Sequence, residues 1–194
     1  MIDAATGEQL WSERFDRPSG DWDALRDEGS QLQEGFVLAF DVSPERHTTV
    51  AACGVNQDGR FHVEIHEHRP GTSWLPARLF EMVENGSPAA VVCDGVGPAA
   101  SLVKACDEAG VSVEVLNTQD HGRACGMLVD VVADDRLRHL GSQELRDAVL
   151  GAAQRPLGDA WAWSRKNSSV NIAPLVAVTL GLGAVELVSG AQVF

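Results

Sequence analysis

Basic charge is scarce in this 194-residue sequence: 15 Lys and Arg stand against 28 Asp and Glu, giving a formal net charge of -13. That excludes a general polyanion binder, because affinity for nucleic acid rests mainly on Lys and Arg contacts to phosphates. Any nucleic-acid role must use metal ions, a local basic patch or a partner. There is no Cys-x-x-Cys pair. The four cysteines (Cys53, Cys93, Cys106, Cys125) lie far apart, three of them in apolar runs, so they are expected as small buried hydrophobes in a reducing compartment, without disulfide or zinc. Residues 1–10 carry acids early and lack an apolar core, so no secretory signal is expected there. The one long uncharged run, Ser168 to Val185, contains Asn171, Pro174 and Thr179 and is followed at once by Glu186. It is expected as a buried core helix with Pro174 in its first turn, rather than a membrane span.

At 44% hydrophobic and 22% charged, the chain has the composition of a globular protein with a real core. Residues 1–34 are polar and irregular and are expected to form a linker or arm, with Trp22 and Leu25 packed onto the domain formed by residues 35–194. Phe36 to Asp41 (FVLAFD) and Ala90 to Asp94 (AVVCD) are two apolar runs that each end in a carboxylate. A buried strand that delivers an acid to its C-terminal end needs a partner or a cation for it, and that edge of an α/β sheet is where ligands sit.

Between these runs, His47 to Val55 and Arg60 to Glu67 alternate about an Asn56-Gln57-Asp58-Gly59 turn, which predicts an antiparallel meander of three strands. On its outer strand, His62, Glu64, His66 and His68 are expected on a solvated face at the sheet edge rather than as metal ligands. Helices are expected from a Ser73 cap to Glu84, from Pro98 to Gly110, from Thr118 to Ala133 and from a Ser142 cap to Ala153. Strands are expected at Val111 to Leu116 and Ala160 to Arg165, with a short extended piece at Arg136 to Leu140. Three antiparallel strands followed by parallel ones, with helices on both faces, make an α/β mixed sheet of the ribonuclease H-like kind.

If strands one and four are neighbours, Asp41 and Asp94 meet, and their like charges call for a divalent cation between them. Two Mg²⁺ or Mn²⁺ ions about 3.5–4 Å apart can hold a phosphodiester, ionise water and neutralise the leaving oxygen. The rival reading is dinucleotide binding. Gly95-Val-Gly97-Pro-Ala-Ala100 fits GxGxxA, and Glu114 stands near the end of the next strand. Asp94 would repel a pyrophosphate, however, and Pro98 removes a backbone donor.

The combination of DVSPER (41–46), VVCDGVGPAAS (91–101), ACG (124–126), RLRHLG (136–141) and RPLGDAWAWSRKNSSVNIAPLVAVTL (155–180) resembles the nuclease domain of the large terminase subunit of tailed bacteriophages, in its actinobacterial phage form. The resemblance implies a two-metal endonuclease that cuts concatemeric DNA during packaging in the cytoplasm of an infected host. Implied partners are double-stranded DNA, a terminase ATPase domain or subunit, small terminase and portal, and no membrane. Asp41 and Asp94 match the family's first two metal-binding acids. At the third, Asn171 stands where an acid is expected, with Asp159 the alternative and Asp130 or Asp120 behind it. An amide can ligate a cation but brings no charge, so the resemblance leaves open a weakened site in a DNA-docking or assembly module. Glycines 95 and 97 are expected to keep the space beside Asp94 clear. Arg46, Lys104, Arg165 and Lys166 are the candidates for DNA contact. No Gly-Lys pair occurs, so there is no phosphate-cradling GxxxxGK[ST] loop and the ATP-driven motor must lie elsewhere.

Overall fold

The segment VLAFDV forms β1 (Val37–Val42), and all six of its side chains are buried. The computed structural model describes residues 22–158 and 160–191, with side chains through Leu187. β1 lies at the centre of a six-stranded sheet of order β5-β4-β1-β2-β3-β6. It pairs antiparallel with β2 (His47–Val55), which pairs antiparallel with β3 (Phe61–Pro70). The Asn56 to Gly59 turn forms as expected: Gly59 has φ 76°, and the Asn56 side chain accepts from the Asp58 and Arg60 amides. On its other side β1 runs parallel to β4 (Ala90–Asp94), which runs parallel to β5 (Glu114–Leu116).

Helices cover both faces. Leu38, Phe40, Val91 and Cys93 face α1 (Leu75–Gly86) and α2 (Val103–Glu108), which is preceded by a 3-10 segment, Pro98–Leu102. Val37, Ala39, Ala90 and Val92 face α3 (Thr118–Ala133), α4 (Gln143–Gly151) and α5 (Ala173–Ala191). α5 takes up most of the uncharged run and continues past Glu186, with Pro174 in its first turn, and Leu175 to Leu180 are fully buried. Among the described residues, no helix is long and apolar enough to cross a membrane. All four cysteines are free and buried. A two-stranded hairpin, β7 (Gln154–Leu157) with β8 (Ala160–Trp163), completes the domain.

Several local expectations differ. Helix α1 starts at Leu75 with no side-chain cap, so Ser73 does not cap it. α3 does begin at Thr118 and end at Ala133 as expected, and Asn117 and Asp120 cap it in a reciprocal capping box, spelled in the sequence as Asn-Thr-Gln-Asp. β3 is not the sheet edge along its first residues, because β6 (Leu137–His139) pairs parallel with Phe61 to Val63. His62 is fully buried rather than solvated. The segment before β1 folds over it, and Ser30 Oγ lies 2.7 Å from His62 Nδ1. That segment is docked from Trp22 onward: Trp22 and Leu25 are buried, and Trp22 stacks on His139 with ring centroids 4.4 Å apart.

Candidate active site

Strand periodicity builds the site. Side chains alternate across a strand, so Asp41 falls on the same face as Val37 and Ala39, and Asp94 on the same face as Ala90 and Val92. Phe40 is in register with Cys93, which sets the two acids side by side at the C-terminal ends of adjacent parallel strands. Both point toward the face that α3 and α5 cover. β8 then carries the chain across this edge: Trp163 is anchored by a 2.8 Å hydrogen bond from its indole nitrogen to Thr179 Oγ1, and Arg165 follows two residues later.

Arg165 lies between the acids. Its Nη2 donates to Asp41 Oδ1 at 2.6 Å and to Asp94 Oδ2 at 3.1 Å, and its Nε donates to Asp41 Oδ2 at 3.3 Å. The side chains are 16% exposed for Arg165, 0% for Asp41 and 5% for Asp94. The Val96 amide donates to Asp94 Oδ1 at 3.0 Å, and His121 Nδ1 is 3.6 Å from Asp94 Oδ2. His121 sits in the first turn of α3 and is itself buried, and its Nε2 has no hydrogen-bond partner among the described residues. Sequence reasoning did not find His121. Its only signal was position, at the start of the helix that follows the strand beside Asp94.

The two carboxyls differ. Burial raises Asp41 to about 6, against the lowering effect of the Arg165 charge and hydrogen bonds, while the Asp94 charge adds to the rise. Burial also pushes Asp94 upward, but the nearby His121 ring, the Val96 amide hydrogen bond and the Arg165 charge outweigh it and hold Asp94 below the usual carboxylate range.

The glycines divide in role. A Cβ on Gly97 would lie 2.9 Å from Asp94 Oδ2 and 3.0 Å from Arg165 Nη2, so Gly97 does clear the space beside Asp94. One on Gly95 would instead meet Val115 and the Leu116 carbonyl, so Gly95 serves the approach of β5. The pair opens a five-residue 3-10 segment rather than an α-helix, which does not support the dinucleotide reading.

A cavity of about 570 Å³ is lined by Arg165, Lys166, Asn171, His47, His68 and Glu45 among others, and it meets the acids only through Arg165, since neither Asp41 nor Asp94 lines it. Arg165, Lys166 and Asn171 are thus brought together. The Asn171 side chain accepts from the Ala173 amide at 2.9 Å and so closes the start of α5. Arg46 and Lys104 do not line the cavity: Arg46 bonds Thr72, and Lys104 is exposed beside Glu108. Of the other acids considered, Asp120 caps α3 and Asp130 is exposed. Asp159 lies outside the described residues.

Solved structures share this architecture. The crystal structure of the HK97 bacteriophage large terminase matches with a TM-score of 0.70 at 16% identity, over 87% of this chain and 43% of that one. The large terminase nuclease from thermophilic phage G20c with bound magnesium gives 0.59 at 13% identity, over 78% of this chain and 82% of that one. The fold is that of a large terminase nuclease. The same G20c nuclease with bound cobalt gives 0.60 at 12% identity, over 84% of this chain and 95% of that one. At these identities the likeness is one of fold. The terminase-nuclease fold is the ribonuclease H-like mixed sheet that the element order predicts. The chain spans 43% of the length of the HK97 large terminase. No protein-family model matches the chain, and no curated protein sequence does.

The donor set can be tested against a divalent cation. Among the described residues, no group of three or more His, Cys, Asp or Glu side chains is arranged to hold a metal ion. The two buried carboxylates do suit one hard cation, since their oxygens already converge on a single positive nitrogen, Arg165 Nη2. A second ion finds no third carboxylate among the described residues.

Proposed function

We propose that this domain is the nuclease module of a phage DNA-packaging machine, hydrolysing phosphodiesters of double-stranded DNA at a centre built on Asp41 and Asp94. The observation that carries this reading is the convergence of the two acids at the end of adjacent parallel strands within a terminase-nuclease fold. Asp41 and Asp94 would hold Mg²⁺ or Mn²⁺, in line with the magnesium and cobalt bound to the G20c nuclease. Such an ion supplies a Lewis acid for the scissile phosphate and for ionising water. The cavity that Arg165 shares with Lys166 receives the DNA backbone. Because the net charge is -13, sustained DNA affinity comes from partners: an ATPase domain or subunit, with small terminase and portal, in the cytoplasm of the infected host.

Asn171 favours a second reading, a catalytically weakened module that docks DNA. Its amide is neutral and its oxygen is engaged by the Ala173 amide, so a second ion would bind poorly. Asp159 is the remaining candidate for a third ligand.

Nicking of supercoiled plasmid in Mn²⁺ against EDTA tests both readings. Wild type is expected to nick slowly, Asn171→Asp faster, and Asp41→Ala not at all. No nicking by wild type with cutting by Asn171→Asp supports the weakened-site reading, whereas Mn²⁺-dependent cutting that survives Asp41→Ala sinks the assignment.

A further inference from the structure

We propose that Arg165 is a built-in counter-cation that competes with divalent metal for Asp41 and Asp94, so that the pair takes up an ion only in exchange for the guanidinium. This rests on the reading of the acid pair as a metal centre and adds how that centre is regulated.

The acids have no idle oxygen. Both oxygens of Asp41 accept from Arg165, Asp94 Oδ2 accepts from the same Nη2, and Asp94 Oδ1 accepts from the Val96 amide. An ion bound by both carboxylates requires the oxygens that the guanidinium holds. The contacts are charge-assisted, and on Asp41 they are bidentate, the strongest form such a contact takes. They are also buried, so solvent and salt screen them little.

The surroundings are shaped for the guanidinium. Any side chain at Gly97 would press on Arg165, since a Cβ there lies 3.0 Å from Nη2 and 3.3 Å from Cζ. The end of β8 is pinned through Trp163 to Thr179, which fixes where Arg165 emerges. The charge count agrees. The two carboxylates bring at most two negative charges, and the Arg165 guanidinium offsets one of them without metal.

An exit exists as well. Arg165 also lines the cavity of about 570 Å³, whose wall includes Glu45. A rotation of the side chain away from the acids leads into open, polar space rather than into packed core. The resting domain is therefore closed to metal by its own side chain, and apparent metal affinity falls by the fraction of time the seat is taken.

The test measures Mn²⁺ binding directly, by calorimetry and by electron paramagnetic resonance of free Mn²⁺, on wild type, Arg165→Gln, and Arg165→Gln combined with Asp41→Asn. If the guanidinium holds the seat about nine-tenths of the time, Arg165→Gln binds Mn²⁺ about tenfold more tightly than wild type, and the double variant loses the gain. Equal affinities in wild type and Arg165→Gln overturn the competition while leaving the metal-dependent nuclease reading intact. No binding by either overturns both. Should Arg165→Gln fail to fold, wild type alone decides: the assigned Arg165 Nε–Hε resonance is expected to move toward the position of exposed arginines as Mg²⁺ is added. A resonance that stays in place to high millimolar Mg²⁺ overturns the proposal.

Discussion

Gly97 has an ordinary backbone conformation, with φ -83°, so the demand for glycine there is spatial. An added methyl would press on both Asp94 and Arg165. Gly97→Ala is therefore expected to destabilise the domain by about 1–3 kcal/mol, the usual cost of overpacking a filled interior, as read from urea unfolding. An unchanged midpoint would mean that the seat has slack. A second residue-scale prediction concerns Glu64. The His62 and His66 side chains, at 3.4 Å and 2.8 Å, hold its pKa down to about 2 from a usual 4.5. A carboxyl depressed in the fold contributes stability that is present above its unfolded pKa and is lost as pH falls toward the folded one. Wild type is expected to exceed Glu64→Gln in stability at pH 5, with the gap closing toward pH 2 in thermal melts. A gap that does not vary with pH would contradict the histidine pairing.

At the scale of elements, two opposing effects decide what a methyl does to a helical glycine. Replacing glycine by alanine in a helix interior gains up to about 1 kcal/mol from propensity. Gly126 on α3 has nothing within 4 Å of its added Cβ, so Gly126→Ala is expected to stabilise by that amount. Gly181 on α5 is the reverse: its Cβ would lie 2.5 Å from Cys53 Sγ and 3.2 Å from the Ala39 Cβ. There overpacking wins, and Gly181→Ala is expected to lower stability by about 1–3 kcal/mol. Parallel melts of the two variants check the pair, and the same sign for both would refute the packing account. These elements were legible where one signal dominated. Uninterrupted apolar runs marked β1, β4 and α5, and alternation about Gly59 marked the β2–β3 hairpin. The start of helix α1 is not legible, because Ser73 invites a capping reading that the chain path does not use. The burial of His62 was illegible because the residue that covers it, Ser30, is remote in sequence.

The whole molecule shows the same division. The order of elements specified a mixed sheet, and the two acid-ended strands were enough to anticipate that Asp41 and Asp94 meet. What lies between them was not anticipated. Arg165 reads as a phosphate contact because, paired with Lys166 at the end of a strand, it carries no mark of its acidic partners, and only the path of β8 over the sheet edge brings it there. His121 was missed for the same reason. Site residues inherited from strand ends are local facts, whereas the charges that balance them arrive from distant segments.

The lie of α5 has one more outcome. This helix fills the space between the sheet and α3, and Cys53 Sγ on β2 lies 3.7 Å from the Val178 carbonyl, 125 positions away in sequence. Synthesis proceeds from the N-terminus, so β1, β2 and β4 leave the ribosome long before the segment that covers their inner face. For that interval the apolar residues of these strands lack the helix that buries them in the folded domain. Contacts so distant in sequence slow folding, and uncovered hydrophobic surface invites aggregation or chaperone capture. A longer wait between the emergence of these strands and that of α5 is therefore expected to lower the yield of folded domain.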